Sequence, residues 1–107
     1  MTRIKRIETI KKLLITEPQD TFLLYALATE YIAENEDKKA QEILESLVNS
    51  NPDYIASYYH LGKLYGRLGM NERALAIYEI GMEESKKQKN HKNASEIQHA
   101  INELLDY

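Results

Sequence analysis

Apolar residues recur at spacings of three and four along almost the whole chain, the period that places them on one face of a helix. Ile7, Ile10, Leu13 and Leu14 give such a face to residues of about 2–16. Leu24, Leu27, Ala28 and Tyr31 do so for about 21–34, and Ala40, Ile43, Leu44 and Leu47 for about 37–50. Tyr58, Leu61, Gly62 and Tyr65 mark about 54–68, while Ala74, Ile77 and Tyr78 mark about 71–88. Ile97, Ile101, Leu104 and Leu105 mark a last segment of about 93–106. Six helices and no strand are predicted. The breaks at Glu17–Asp20, Asn51–Asp53 and Lys89–Lys92 are too short for linkers and read as turns, so 1–107 is expected to be one domain.

The pattern repeats. The only two prolines, Pro18 and Pro52, lie 34 residues apart, which prompts a search for an internal repeat. Aligning 21–54 with 55–88 pairs Tyr25 with Tyr59, Leu27 with Leu61, Tyr31 with Tyr65, Ala40 with Ala74, Ile43 with Ile77 and Glu45 with Glu79. These are large anchors, or the small residue at which two helices approach closely. The turns repeat as well: Asn35 and Gly69 both tolerate the left-handed backbone that stops a helix. Asp37 and Asn71 are expected to cap the helix that follows by accepting its free backbone N–H groups. Each unit therefore reads helix, tight turn, helix.

These residues resemble the tetratricopeptide repeat, whose pattern runs from a large residue through Leu-Gly, Tyr and Ala to an aromatic and Pro. In the first unit the pattern is filled by Leu24, Leu27, Ala28, Tyr31, Ala40, Leu44, Leu47 and Pro52. In the second it is filled by Tyr58, Leu61, Gly62, Tyr65, Ala74 and Tyr78, with Gly81 and Lys86 departing at the last two places. The resemblance implies an all-α fold, a right-handed α-solenoid of about six antiparallel helices. Residues 1–20 would be a half-repeat, 21–54 and 55–88 the two full repeats, and 89–107 a capping helix. One pair cannot bury its apolar face alone, so pairs must stack and the ends need capping.

The resemblance also implies a function. First helices of successive repeats line a concave groove that takes peptides or helices of partner proteins. Here that side comprises Phe22, Tyr25, Thr29 and Ile32 on the first such helix. On the second it comprises Ala56, Tyr59, Lys63, Gly66 and Arg67. Tyrosine suits recognition because it offers apolar area and a hydroxyl at low entropic cost. Relatives that grip chaperone tails use lysine and asparagine at places held here by Tyr25, Thr29 and His60, which disfavours that ligand. A partner with an apolar or aromatic segment and acidic character near Lys63 and Arg67 fits better.

Composition narrows the remaining choices. The chain has 107 residues, 43% of them hydrophobic and 29% charged, which suits a small globular domain. There is no cysteine, so disulfides, thiolate metal sites and cysteine nucleophiles are excluded. The longest apolar run, Phe22 to Ala28, falls far short of the roughly 20 residues a membrane span needs. No apolar core follows the basic residues Arg3, Lys5 and Arg6 as a leader would require, so a cytoplasmic location is expected. The net charge of −3 conceals segregation, because Arg3, Lys5, Arg6, Lys11 and Lys12 face only Glu8 in the first segment. A solvated polar face is preferred there to a nucleic-acid site, since no aromatic residue on this helix could stack a base. Pairing of opposite-sign segments between copies, giving a homo-oligomer, is the main alternative to groove binding.

Candidate chemistry is thin. Ser57 and His60 lie one turn apart with Asp53 near the helix start, but an orienting group and an oxyanion site are missing. His91 and His99 are too far apart for a compact metal pair, and all three histidines are expected to face solvent. Gly62, Gly66 and Gly69 with Lys63 only superficially resemble a phosphate loop, because no strand leads in and no Ser or Thr follows the lysine. The expectation is a non-catalytic interaction module or scaffold for another protein, with no cofactor and no metal.

Overall fold

The computed structural model describes residues 2–106, and every regular element among them is helical. In chain order these are α1 (Arg3–Thr16), α2 (Thr21–Ala33), α3 (Asp37–Ser50), α4 (Ile55–Arg67), α5 (Asn71–Lys87) and α6 (His91–Leu104). Three caps follow the usual chemistry. Thr2 Oγ1 accepts from the Lys5 N–H at 3.2 Å, Asp20 Oδ1 from Leu23 at 2.8 Å and Asn90 Oδ1 from Asn93 at 3.0 Å. The Asn90 cap starts α6 at His91, two residues earlier than the apolar period suggested.

The turns within the repeats work differently. Asn35 (φ 61°) and Gly69 (φ 81°) take the left-handed backbone expected of them. The next N–H then reaches back to close the preceding helix, Glu36 to Tyr31 O at 2.9 Å and Met70 to Tyr65 O at 2.8 Å. Asp37 and Asn71 are already the first helical residues, and the capping positions Glu36 and Met70 carry no side-chain cap bond. Asp37 and Asn71 therefore do not hold the capping position expected of them: Glu36 and Met70 hold it, and their N–H groups close the previous helix. Lys89 (φ 55°) ends α5 by the same device, with the Asn90 N–H donating to Ser85 O at 2.8 Å.

The helices form two compact units, Met1–Asn51 with α1 to α3 and Pro52–Tyr107 with α4 to α6. In the first, α2 packs against both α1 and α3. Leu27, Ala28, Tyr31, Ala40, Leu44 and Leu47 are buried. None of the α1 residues is buried; Ile7, Ile10 and Leu14 are half-buried, whereas Leu13 is 49% exposed and does not join the predicted face. Ion pairs add to that packing. Arg6 Nε lies 2.8 Å from Glu30 Oε1, and Arg3 Nη1 lies 3.3 Å from Glu34 Oε1. Lys11 and Lys39 place their ammonium groups 5.8 and 5.4 Å from the centroid of the Tyr31 ring.

In the second unit the three helices pack on one another around Tyr58, Leu61, Leu64, Tyr65, Tyr78, Ile97 and Ala100. Gly62 lets α4 lie against the Tyr78 ring, where a Cβ atom would sit 2.5 Å from Cδ1. Gly81, a departure from the repeat pattern, is required by its surroundings: a Cβ there would meet Tyr58 Cβ at 2.8 Å and Ile97 Cδ1 at 3.0 Å. Tyr58 donates its hydroxyl to Pro52 O at 2.6 Å, and burial pushes that phenol's pKa up. Arg73 stacks 4.5 Å from the centroid of Tyr65 and donates to its hydroxyl at 3.0 Å, the repeat counterpart of Lys39 on Tyr31. Leu105 lies past the end of α6 and is 43% exposed, so it leaves the predicted apolar face and Ala100 takes its share.

Candidate functional site

On α2 the expected partner-facing residues differ in how far they reach solvent. Phe22, in the first turn, is 67% exposed, whereas Tyr25, Thr29 and Ile32 are half-buried. Thr29 donates its hydroxyl to Ala26 O at 2.8 Å, so that group serves its own helix before any ligand.

On α4 the side chains converge on a seam with α6. Tyr59 and Gly66 are half-buried there, and Lys63 and Arg67 are exposed; Ala56 is half-buried but lines neither of the concavities described below. Tyr59 meets His60 edge to face with ring centroids 5.3 Å apart. The Lys63 ammonium lies 5.8 Å from the Tyr59 centroid and 3.8 Å from Glu103 Oε1. His99 Nε2 lies 3.9 Å from the same carboxylate oxygen, so one acid of α6 stands between a lysine of α4 and a histidine of its own helix. One concavity, of about 540 Å³, is lined by Tyr59, Lys92, Ser95, Glu96 and His99. A second, of about 360 Å³, lies among Lys63, Gly66, Arg67, Tyr78, Glu103 and Leu104.

Sequence reasoning named the α4 half of this seam and missed the α6 half. Lys92, Ser95, Glu96, His99 and Glu103 recur at spacings of one, three and four residues, so they share one flank of α6 beside its buried stripe. That spacing was the available signal.

Electrostatics follow the packing. His60 is half-buried instead of solvent-facing, and burial lowers its pKa below the ordinary 6.5; Glu96 opposes that shift and Lys63 reinforces it. Tyr78 is pushed up to about 12, chiefly by burial, with Tyr59 and Glu103 adding to it. Its hydroxyl therefore keeps its proton at any ordinary pH. Ser57 is fully buried, and its hydroxyl has no hydrogen-bond partner among the described residues, so it presents no nucleophile at the surface. His91 and His99 are exposed. Gly62 and Gly66 lie within α4, and Gly69 follows its end, so this stretch forms no phosphate-binding loop. Among the described residues no helix is long and apolar enough to cross a membrane.

A protein-family model described as ChAPs (Chs5p-Arf1p-binding proteins) matches residues 2–105. The chain is also similar to a tetratricopeptide repeat domain protein from Salinibacter ruber, solved both in solution and as a crystal. The solution structure is 39% identical, covers 81% of this chain and 88% of that one, and superposes with a TM-score of 0.77. For the crystal structure the values are 38%, 82%, 98% and 0.79. The chain belongs to the ChAPs family, and its repeats are tetratricopeptide repeats. A protein from Bordetella parapertussis shares the fold at 19% identity, with 94% of this chain and 87% of that one covered and a TM-score of 0.82. No curated protein matches the chain. Fold and family together place this ChAPs chain among protein-interaction modules.

Proposed function

We propose that the chain is a non-catalytic adaptor that binds another protein through the exposed side of α4 in the second unit and, as a surface of its own, the exposed side of α2 in the first. Phe22, Tyr25, Thr29 and Ile32 would serve on α2, with Ala56, Tyr59, Lys63, Gly66 and Arg67 on α4. The observation that carries this reading is the α4–α6 seam. A half-buried tyrosine and a nearby ammonium group border shallow concavities of about 540 and 360 Å³, open enough for side chains of a partner. The family description, which names two proteins that its members bind, supports a protein as the class of ligand.

Affinity capture followed by lysine-directed cross-linking and mass spectrometry tests the reading. Cross-links to a captured partner should concentrate at Lys63 and Lys92, which border the seam. Combined Tyr25→Ala and Tyr59→Ala substitution should weaken capture while leaving the far-ultraviolet circular dichroism unchanged. Cross-links confined to Lys38, Lys39 and Lys86, with capture indifferent to the tyrosines, would contradict the assignment.

A further inference from the structure

We propose that Glu103 occupies the place of a partner's carboxylate, so that an acidic, aromatic-bearing segment binds by displacing it from Lys63. This rests on the adaptor reading above and goes further, by naming the chemistry of the partner and an internal competitor for it.

The geometry is specific. Glu103 projects from α6 into the concavity that Lys63 and Arg67 border from α4, and its Oε1 lies 3.8 Å from Lys63 Nζ. Nothing about the contact makes it a structural lock. The Glu103 side chain is 58% exposed and that of Lys63 is 49% exposed, and at this separation and exposure an ion pair is held weakly by a high-dielectric surrounding. A rotation about the glutamate side chain leaves Lys63 available without disturbing the packing of α6, which rests on buried Ile97 and Ala100. His99 Nε2 lies 3.9 Å from the same oxygen, an ion pair only when the imidazole carries its second proton.

The floor of the concavity selects what accompanies the incoming acid. Gly66 offers no side chain, Leu104 stands beside it, and Tyr78 lines the same concavity. A helix-interior glycine is unfavourable on its own account. Here it leaves room beside Leu104 in a concavity that Tyr78 also lines, which admits an apolar group from a ligand. With Lys63 and Arg67 at the rim, charge complementarity points to a peptide segment carrying an Asp or Glu beside a Phe, Tyr or Leu.

Selection of a random peptide phage library on the immobilised full chain tests this. The enriched peptides should combine acidic with aromatic or aliphatic residues, and the most enriched one is then synthesised with a fluorescent label for anisotropy titration. Glu103→Gln should tighten binding by about two- to fivefold, the amount a weak exposed pair withholds. Lys63→Ala should weaken binding, and in the Lys63→Ala background Glu103→Gln should have no effect. If Lys63→Ala weakens binding but Glu103→Gln leaves it unchanged or weaker, the competitor role is overturned and the adaptor reading stands. Enrichment of basic peptides, or an oligothymidylate that displaces the peptide in a Lys63-dependent way, overturns the stated partner chemistry. If no peptide is enriched, both readings fall.

Discussion

Gly62 and Gly66 lie one helical turn apart on α4, and alanine at the two positions should move stability in opposite directions. Helix propensity alone favours alanine over glycine by about 1 kcal/mol at either place. At Gly62 that gain is outweighed. A Cβ atom would stand 2.5 Å from Tyr78 Cδ1 and 2.7 Å from its Cζ, against the roughly 3.5–4.0 Å of a relaxed carbon contact. The Tyr78 ring is 2% exposed and has no room to swing aside. Overpacking of that kind costs about 3 kcal/mol or more, which leaves Gly62→Ala destabilised by about 2 kcal/mol. At Gly66 the nearest atom, Leu104 Cδ1, would lie 3.4 Å away, an ordinary contact, so Gly66→Ala should gain about 0.5–1 kcal/mol. Urea denaturation followed by circular dichroism at 222 nm reads both shifts from the midpoints at constant slope. A Gly62→Ala variant as stable as the parent, or a destabilised Gly66→Ala variant, would refute the packing described for α4 and α5.

Three further outcomes follow from the same structure. Ile97 is 1% exposed, and Ile97→Ala should cost about 2–4 kcal/mol in urea denaturation; a loss below about 1 kcal/mol would mean that α6 is only loosely docked. Lys89 holds φ 55° where glycine would be unstrained, so Lys89→Gly should raise stability by about 0.5–1 kcal/mol, and a decrease would contradict the turn geometry. His60 titrates below its ordinary 6.5 in the folded chain, so the unfolded chain binds the proton first as pH falls. The melting temperature should therefore drop between about pH 7 and pH 5, with the His60 contribution flattening once pH passes below its folded pKa. His60→Gln should make that stretch of the profile shallower, and an unchanged profile would contradict the burial assigned to His60.

Much of the fold was legible because helical period and repeat length reinforce each other. The bounds of α3 match the apolar period, and the stops at Asn35 and Gly69 follow from the backbone that those residues tolerate. What was not legible depends on contacts distant in sequence. Gly81 looked like a departure from the motif until Tyr58 and Ile97 were seen to crowd it. That Glu36 and Met70, not Asp37 and Asn71, hold the capping positions follows from bonds back to Tyr31 and Tyr65, which a local reading of capping residues does not contain. Leu13 obeys the period yet stays exposed, because periodicity places a residue on a face without saying that a neighbour covers it. The pairing of Lys39 with Tyr31 and of Arg73 with Tyr65 does recur at the repeat spacing, so a comparison of charged positions between repeats could have found it.

For the candidate site, the sequence named the α4 residues through the resemblance alone, and Tyr59 with Lys63 does line the seam. The basic character of the first segment proved less open to a ligand than it looked, since Arg3 and Arg6 are engaged by Glu30 and Glu34. The role of α6 was hidden by its lack of motif residues, although its polar flank contributes as much to the concavities as α4 does.

The central claim is that the α4–α6 seam receives a segment of a partner protein. Titrating the isotopically labelled full chain with the library-selected peptide, followed by amide chemical-shift mapping, tests it most directly. The account predicts that the largest shifts fall on Tyr59, Lys63, Gly66 and Arg67 together with residues 92–103. Shifts concentrated at Glu42, Glu72 and Glu79, with the seam unmoved, would contradict it.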